Sequence, residues 1–304
     1  MQVGRTRQGP DDKGDCHMSS SKSVVRAALA NLCWGLMPLY FVVLGPIRPE
    51  AILLMQVLMA YGVLTIIHAT GLIPARQDIE QRSIKTSIVP ALLISCNWLI
   101  YLFAMLTENA VDAGLGYLFT PFVIIGLSRL VFREKLASHQ AIGGAICVVG
   151  VIFYIAITGV VPVFGFSLAI TFGLYATWHR SQNVTDSVAA LRRETSLMAP
   201  IAVIALMILI WQDHSIPIIT WATLGFLGPL TLLPLFLFIS ACQLGISAVD
   251  LSACQFLAPV VSVAVGVLFM GQTLTVSLAM LLIFLAIGIS VSVLGGSQRK
   301  GTVS

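Results

Sequence analysis

The chain has 304 residues, of which 58% are hydrophobic and 10% charged, with a mean hydropathy of +0.95. Such values exclude an ordinary soluble domain and point to an all-α polytopic membrane protein. The net charge of +4 does not argue for nucleic acid as a partner, because a nucleic-acid surface needs a solvated basic face and this chain has little beyond its N-terminal tail and short loops.

Residues 1–23 hold Gly, Asp, Ser and several charges but no apolar run, and read as a disordered cytoplasmic tail with no cleavable signal ahead of the first span. A span needs about 20 apolar residues to cross roughly 30 Å of hydrocarbon. Between charges and turn formers, such stretches fall at 24–44, 49–70, 87–106, 111–130, 138–158, 162–178, 195–211, 221–241, 248–269 and 274–294, before a cytoplasmic tail at 295–304. Two uncharged tracts are each divided by a turn, at Gly159-Val160-Val161-Pro162 and at Gly271-Gln272-Thr273.

The basic residues test that count, since short cytoplasmic loops carry the Lys/Arg excess. With the N-terminus inside, ten spans put Arg5, Arg7, Lys13, Lys22, Arg26, Arg76, Arg82, Lys85, Arg129, Arg133, Lys135, Arg180, Arg192, Arg193, Arg299 and Lys300 on the inner side and Arg48 alone outside. An even number of spans with both termini cytoplasmic follows, because nine would carry the last two basic residues outside. Glu108, Asp112, Asp213 and His214 border outer turns and make that side mildly acidic.

Cys16 lies in the tail, while Cys33, Cys96, Cys147, Cys242 and Cys254 fall in or beside spans. That distribution predicts neither a disulfide framework nor a metal site. His17, His68, His139, His179 and His214 are scattered, and no phosphate loop follows a strand, so the chain reads as a non-enzyme with no metal and no cofactor.

An internal repeat recurs at an offset of 138 residues: Val111-Asp112 returns as Val249-Asp250, Pro121 as Pro259, Leu136 as Leu274, Gly150 as Gly288, and Gly35-Leu36 as Gly173-Leu174. Each half, 24–158 and 162–294, then holds five spans. An odd number per repeat makes the second copy enter from the opposite face, giving two inverted five-helix repeats with a site at their interface. Alternating access for a small organic molecule is the functional expectation; a non-transporting scaffold or receptor is the alternative. A homodimer is one of the assemblies the sequence leaves open.

Candidates for lining a central cavity are the polar and aromatic residues within spans: Asn97, Tyr117, Gln255 and Trp34 first, then Tyr101, Tyr40, Gln56 and Trp98. The amides donate and accept, the tyrosines carry a hydroxyl on an apolar face, and the tryptophans offer a surface for an organic substrate or a cation. For each amide, a hydrogen bond between helices competes with ligand contact. Asp112, Asp250 and Glu50 stand at helix starts, where capping and gating are both open readings. Pro121 and Pro259 each remove a backbone donor inside a span, as mild kinks or as the bends that widen a cavity. For proton coupling, the titratable candidates are Glu50, Asp112, Asp250 and His68, all toward span ends. That placement favours exchange or facilitated diffusion over strict proton antiport.

Asn97-Trp98-Leu99-Ile100-Tyr101, Gly114-Leu115-Gly116-Tyr117-Leu118-Phe119-Thr120-Pro121 and Gln255-Phe256-Leu257-Ala258-Pro259 closely resemble the RarD family, in the EamA branch of the drug/metabolite transporter superfamily. Trp34-Gly35 with Pro38 and Tyr40-Phe41 is similar to that family's first span, and Glu134 to its loop glutamate. The resemblance implies ten helices, the inner membrane of a bacterium and a permease. Two positions depart from the pattern: Met55 and Gln56 stand where the family places a His-Arg pair, and Gln272 where relatives carry glutamate.

Overall fold

The computed structural model describes residues 12–44, 47–71, 85–106, 110–133, 137–159, 161–182, 186–212, 218–269 and 275–297. Among them every regular element is a helix: α1 (Asp12–Leu44), α2 (Pro49–Ala69), α3 (Lys85–Leu106), α4 (Ala110–Phe132), α5 (Ser138–Thr158), α6 (Val163–Ser181), α7 (Ser187–Gln212), α8 (Ile218–Gly225), α9 (Leu227–Gln243), α10 (Ala248–Gln255), α11 (Leu257–Phe269) and α12 (Val276–Ser297). Among the described residues five stretches are long and apolar enough to cross a membrane by length and composition: Pro49–Ala69, Ala141–Thr158, Ser187–Gln212, Thr220–Gln243 and Ala248–Phe269. Large apolar side chains such as Val43, Ile66, Leu92, Ile152, Ile204 and Leu268 face outward. The protein is a polytopic membrane protein.

The helices differ from the sequence-based expectation in three places. Helix α1 starts at Asp12, so it takes in residues 12–23 of the stretch expected to be a disordered tail. Helix α7 starts at Ser187 rather than near 195, because Asp186 Oδ1 accepts from the amides of Val188 and Ala189, at 3.0 Å each, and caps the helix there. The eighth and ninth apolar stretches are each two helices, α8/α9 and α10/α11.

Those two breaks share one origin. Pro229 and Pro259 lack the amide that the carbonyls of Gly225 and Gln255, four residues earlier, need to continue a helix. The chain responds by a tighter turn: Phe226 N–H donates to Thr223 O at 3.1 Å and Phe256 N–H to Ala253 O at 3.4 Å, three residues back instead of four. Helices then restart at Leu227 and Leu257.

The helix starts keep a regular spacing. Pro49 and Ser187, Ala110 and Ala248, and Ser138 and Val276 are pairs of first residues, each pair 138 apart. Packing follows the same spacing. Helix α1 lies against α9, α10 and α11, while α6 lies against α3 and α4; α2 packs on α7, and α5 on α12. Glycine makes the closest of these approaches. A Cβ on Gly35 would stand 2.6 Å from Val261 Cβ, and one on Gly173 would stand 2.6 Å from Val123 Cγ1, so α1–α11 and α6–α4 close to distances only glycine permits. At the α5–α12 seam Cys147 Sγ reaches Leu285 O at 3.9 Å.

The main core collects Ala27 and Ala30 of α1, Leu64 of α2, Ile124 of α4, Phe172 and Tyr175 of α6, Leu191 of α7, Phe238 of α9 and Leu251 of α10. Helices from both ends of the chain therefore meet in one apolar centre.

Candidate functional site

An aromatic column runs through that core. Trp34 on α1 meets Phe172 edge-on at 5.6 Å and Phe238 of α9 at 5.5 Å, and Phe172 and Phe238 lie 5.1 Å apart. Phe172, Tyr175 and His179 recur along one face of α6, so their rings follow one another at 5.9 Å and 4.6 Å. The column ends on a buried carboxylate. Tyr175 Oη donates to Glu194 Oε2 at 3.0 Å, and His179 Nε2 stands 3.1 Å from Glu194 Oε1. That nitrogen lies off the line a hydrogen bond requires, so it is close enough for an ion pair yet makes no hydrogen bond. Tyr175, His179 and Glu194 are 0%, 3% and 2% exposed, so a carboxylate and an imidazole are enclosed together. An enclosed unpaired charge is costly, which holds the two together.

Arginines anchor the same end of the bundle. Arg180 donates to Ile246 O at 3.2 Å and to Ser128 Oγ, and its guanidinium lies 5.0 Å from the centre of the Phe132 ring. Arg26 donates to Ser240 Oγ, and Ser187 Oγ donates to Gln243 Oε1 at 2.7 Å. These contacts tie α1, α4, α6, α7 and α9 together there.

Glu194, His179 and Tyr175 were not among the sequence candidates. Glu194 follows Arg192-Arg193, and the charged run reads as a loop; the structure puts it seven residues inside α7. Titratable side chains are therefore not confined to span ends, contrary to the sequence-based expectation: Glu194 is buried well inside α7. A signal was present: the offset of 138 pairs Glu194 with Gln56, well inside the second span.

The sequence candidates fall in four places. Trp34 joins the aromatic column, and Trp98 packs half-buried against the same core. Asn97 is buried and donates from Nδ2 to Leu168 O at 3.0 Å and to Thr171 Oγ1 at 2.9 Å, so both amide hydrogens bind α3 to α6. Tyr101 packs with Ile100, Ala104, Phe164 and Leu168. Tyr40 donates to Thr223 O and sits with Met55 and Leu227, while Gln56 is half-buried on α2. Gln255, the last residue of α10, is 4% exposed, and its Oε1 accepts no hydrogen bond. Tyr117 and Asp112 are on α4, with side chains outside the described part, as are Glu134 and Gln272 altogether.

The residues at helix starts differ from one another. Ser247 caps α10: its Oγ accepts from Asp250 N–H at 3.0 Å and donates to Asp250 Oδ2 at 2.7 Å, so Asp250 braces the cap from the first turn. Glu50 Oε2 stands 3.6 Å from Arg48 Nε, and His68 is half-buried in the last turn of α2. Pro121 is inside an unbroken α4 and its carbonyl accepts from Ser252 Oγ at 3.0 Å, whereas Pro259 breaks its helix. Among the described residues no group of three His, Cys, Asp or Glu side chains is placed to hold a metal.

Residues 21–156 match the EamA-like transporter family. Over most of its length the chain is similar to bacterial proteins named as transporters: 28% identical over 261 residues to uncharacterized transporter YojE of Bacillus subtilis, covering 82% of this chain and 86% of that one. It is 29% identical over 272 residues to an uncharacterized transporter of Vibrio cholerae, covering 84% and 86% of the two chains. Protein RarD of Escherichia coli is 24% identical over 214 residues, 68% of this chain and 66% of its own. A crystal structure shares the fold, with a TM-score of 0.69 at 16% identity over 90% of this chain and 98% of its own.

Proposed function

We propose that this EamA protein is a secondary transporter of a small organic molecule, working by alternating access between two inverted five-helix halves, residues 24–158 and 162–294. The proposed setting is the inner membrane of a bacterium, with both termini cytoplasmic and export favoured over import. The mirrored contact of Gly35 with Val261 and Gly173 with Val123 carries this reading, since each partner in one pair is displaced by 138 residues to give the other. Two halves that grip each other by equivalent contacts have two equivalent ways to lean, one opening each side. The names of the relatives support transport over a scaffold.

Trp34, Phe172 and Phe238 supply the apolar surface for an organic substrate, and the unpartnered Gln255 Oε1 supplies an acceptor. Reconstitution into sealed vesicles tests the function with amino acids, amines, nucleosides and amphenicols. Counterflow of a panel compound is expected. Neither flux nor counterflow, together with stoichiometric co-purification of a protein partner, establishes the scaffold instead. Cysteine labelling from each side of intact membranes tests the topology; Ser181 labelled from outside, or Thr107 from inside, overturns it.

A further inference from the structure

We propose that Glu194 is a proton-carrying site of the transport cycle, linked to the aromatic centre through Tyr175 and Phe172. The proposal deepens the transporter reading above and rests on it. Its foundation is geometric: a carboxylate 2% exposed receives one hydroxyl donor and faces an imidazole nitrogen that makes no hydrogen bond. The fastening contact between α3 and α6 is different in kind: Asn97 is neutral and uses both amide hydrogens. The repeat gives an independent contrast. At the offset positions Tyr175, His179 and Glu194 correspond to Met37, Phe41 and Gln56, so the titratable set is confined to one half.

The groups around the site define its charge. From α6 come Tyr175 and His179; from α9 comes Cys242, within electrostatic reach of Tyr175 and of Arg180. Helix α7 itself adds Arg192 and Arg193, two residues and one residue before Glu194. Helices α2 and α3 also pack on α7 and bring Glu50, Tyr61, His68, Lys85, Cys96 and Tyr101, none of which pairs with Glu194. With one exchangeable proton on the Glu194–His179 pair the enclosed charge is zero, and without it the charge is minus one. Exchange of that proton requires a conformation in which water reaches the carboxylate, which is enclosed here. The step is protonation alone: a proton from water forms an O–H bond at one carboxylate oxygen and leaves by the reverse path. Because Tyr175 touches both Glu194 and Phe172, and Phe172 touches Trp34, a substrate pressed against Trp34 bears on the rings that position the carboxylate.

Two measurements on the full chain test this. Infrared titration of the protein in lipid nanodiscs, from about pH 4 to about pH 9 to bracket the ordinary carboxylate and imidazole ranges, follows carboxylic acid C=O absorption. A titrating band that Glu194→Gln removes is expected. Tyr175→Phe keeps the ring, removes the hydroxyl that donates to Glu194, and is expected to shift the frequency of that band, because the carboxyl group loses a hydrogen bond. Superimposable titrations of wild type and Glu194→Gln overturn the proposal, and so does an unmoved band frequency in Tyr175→Phe should Glu194→Gln fail to fold. The second measurement uses vesicles and the same compound panel under an imposed pH gradient. Wild type concentrates a panel compound, and Glu194→Gln makes exchange independent of pH and abolishes accumulation. Accumulation by Glu194→Gln equal to wild type overturns the proton site. Absence of any exchange by wild type overturns the transporter reading instead, while the infrared titration still reads the proton site.

Discussion

Gln56 and Glu194 each sit seven residues after the first residue of their helices, α2 and α7, and those helices pack against each other. One is a half-buried amide; the other is an enclosed carboxylate bonded to Tyr175 and facing His179. Helix starts and glycine contacts recur between the two parts of the chain, while the polar interior does not. Backbone spacing and close approach are properties of a whole interface and change only together. A single buried side chain changes alone once a neighbouring helix supplies its partners.

The largest expected effect separates these two positions. Glu194→Ala strips the partner from His179 and Tyr175 and is expected to cost about 3–5 kcal/mol, the penalty of opening a buried pair. Gln56→Ala is expected to cost under about 1 kcal/mol, typical of an interhelical polar contact in a membrane. Unfolding in mixed micelles measures both, and equal losses break the contrast. Next come the glycines. Gly35→Val and Gly173→Val each force side chains apart at a 2.6 Å approach and are each expected to cost about 1–3 kcal/mol or more. Similar losses support equivalent seams, whereas a loss at one position only shows that the seams differ in give.

Smaller effects sharpen the picture. Asn97→Ala frees Leu168 O and Thr171 Oγ1 and is expected to cost about 0.6–1.7 kcal/mol in the same assay. Pro259→Ala restores the amide that Gln255 O lacks and is expected to gain up to about 1 kcal/mol, one net hydrogen bond, with slower amide exchange at Phe256. Pro121→Ala, inside an unbroken helix, is expected to change exchange less, and the pair is compared by deuterium uptake.

Hydropathy places a helix wherever an apolar run outlasts a bilayer, so the span Ser138–Thr158 is readable to the residue. Hydropathy fails where charge enters a helix. Arg192-Arg193-Glu194 looks like a loop because a one-dimensional reading prices each charge in isolation; Tyr175 and His179, which pay for Glu194's enclosure, are on a different helix. The repeat carries the missing information, because Pro49 shifted by the offset is Ser187, the observed start of α7. The breaks at Phe226 and Phe256 were legible only in part: prolines mark them, yet Pro38, Pro90, Pro121, Pro200 and Pro234 leave their helices unbroken. The candidate site was half visible. Trp34 and Gln255 are in sequence motifs, while Phe172 and Phe238 look like any apolar residues until packing brings their rings to Trp34.

The breaks at Phe226 and Phe256 also set the mechanical character of the bundle. A continuous helix resists bending along its whole length, since every turn is cross-linked to the next. A rod interrupted after Gly225 or Gln255 concentrates its compliance in one residue, and the segments on either side tilt as separate stiff pieces. Both joints fall in the second part of the chain, which also holds Glu194. Among the described residues the two parts, matched in where their helices begin, therefore differ in where a long helix is jointed.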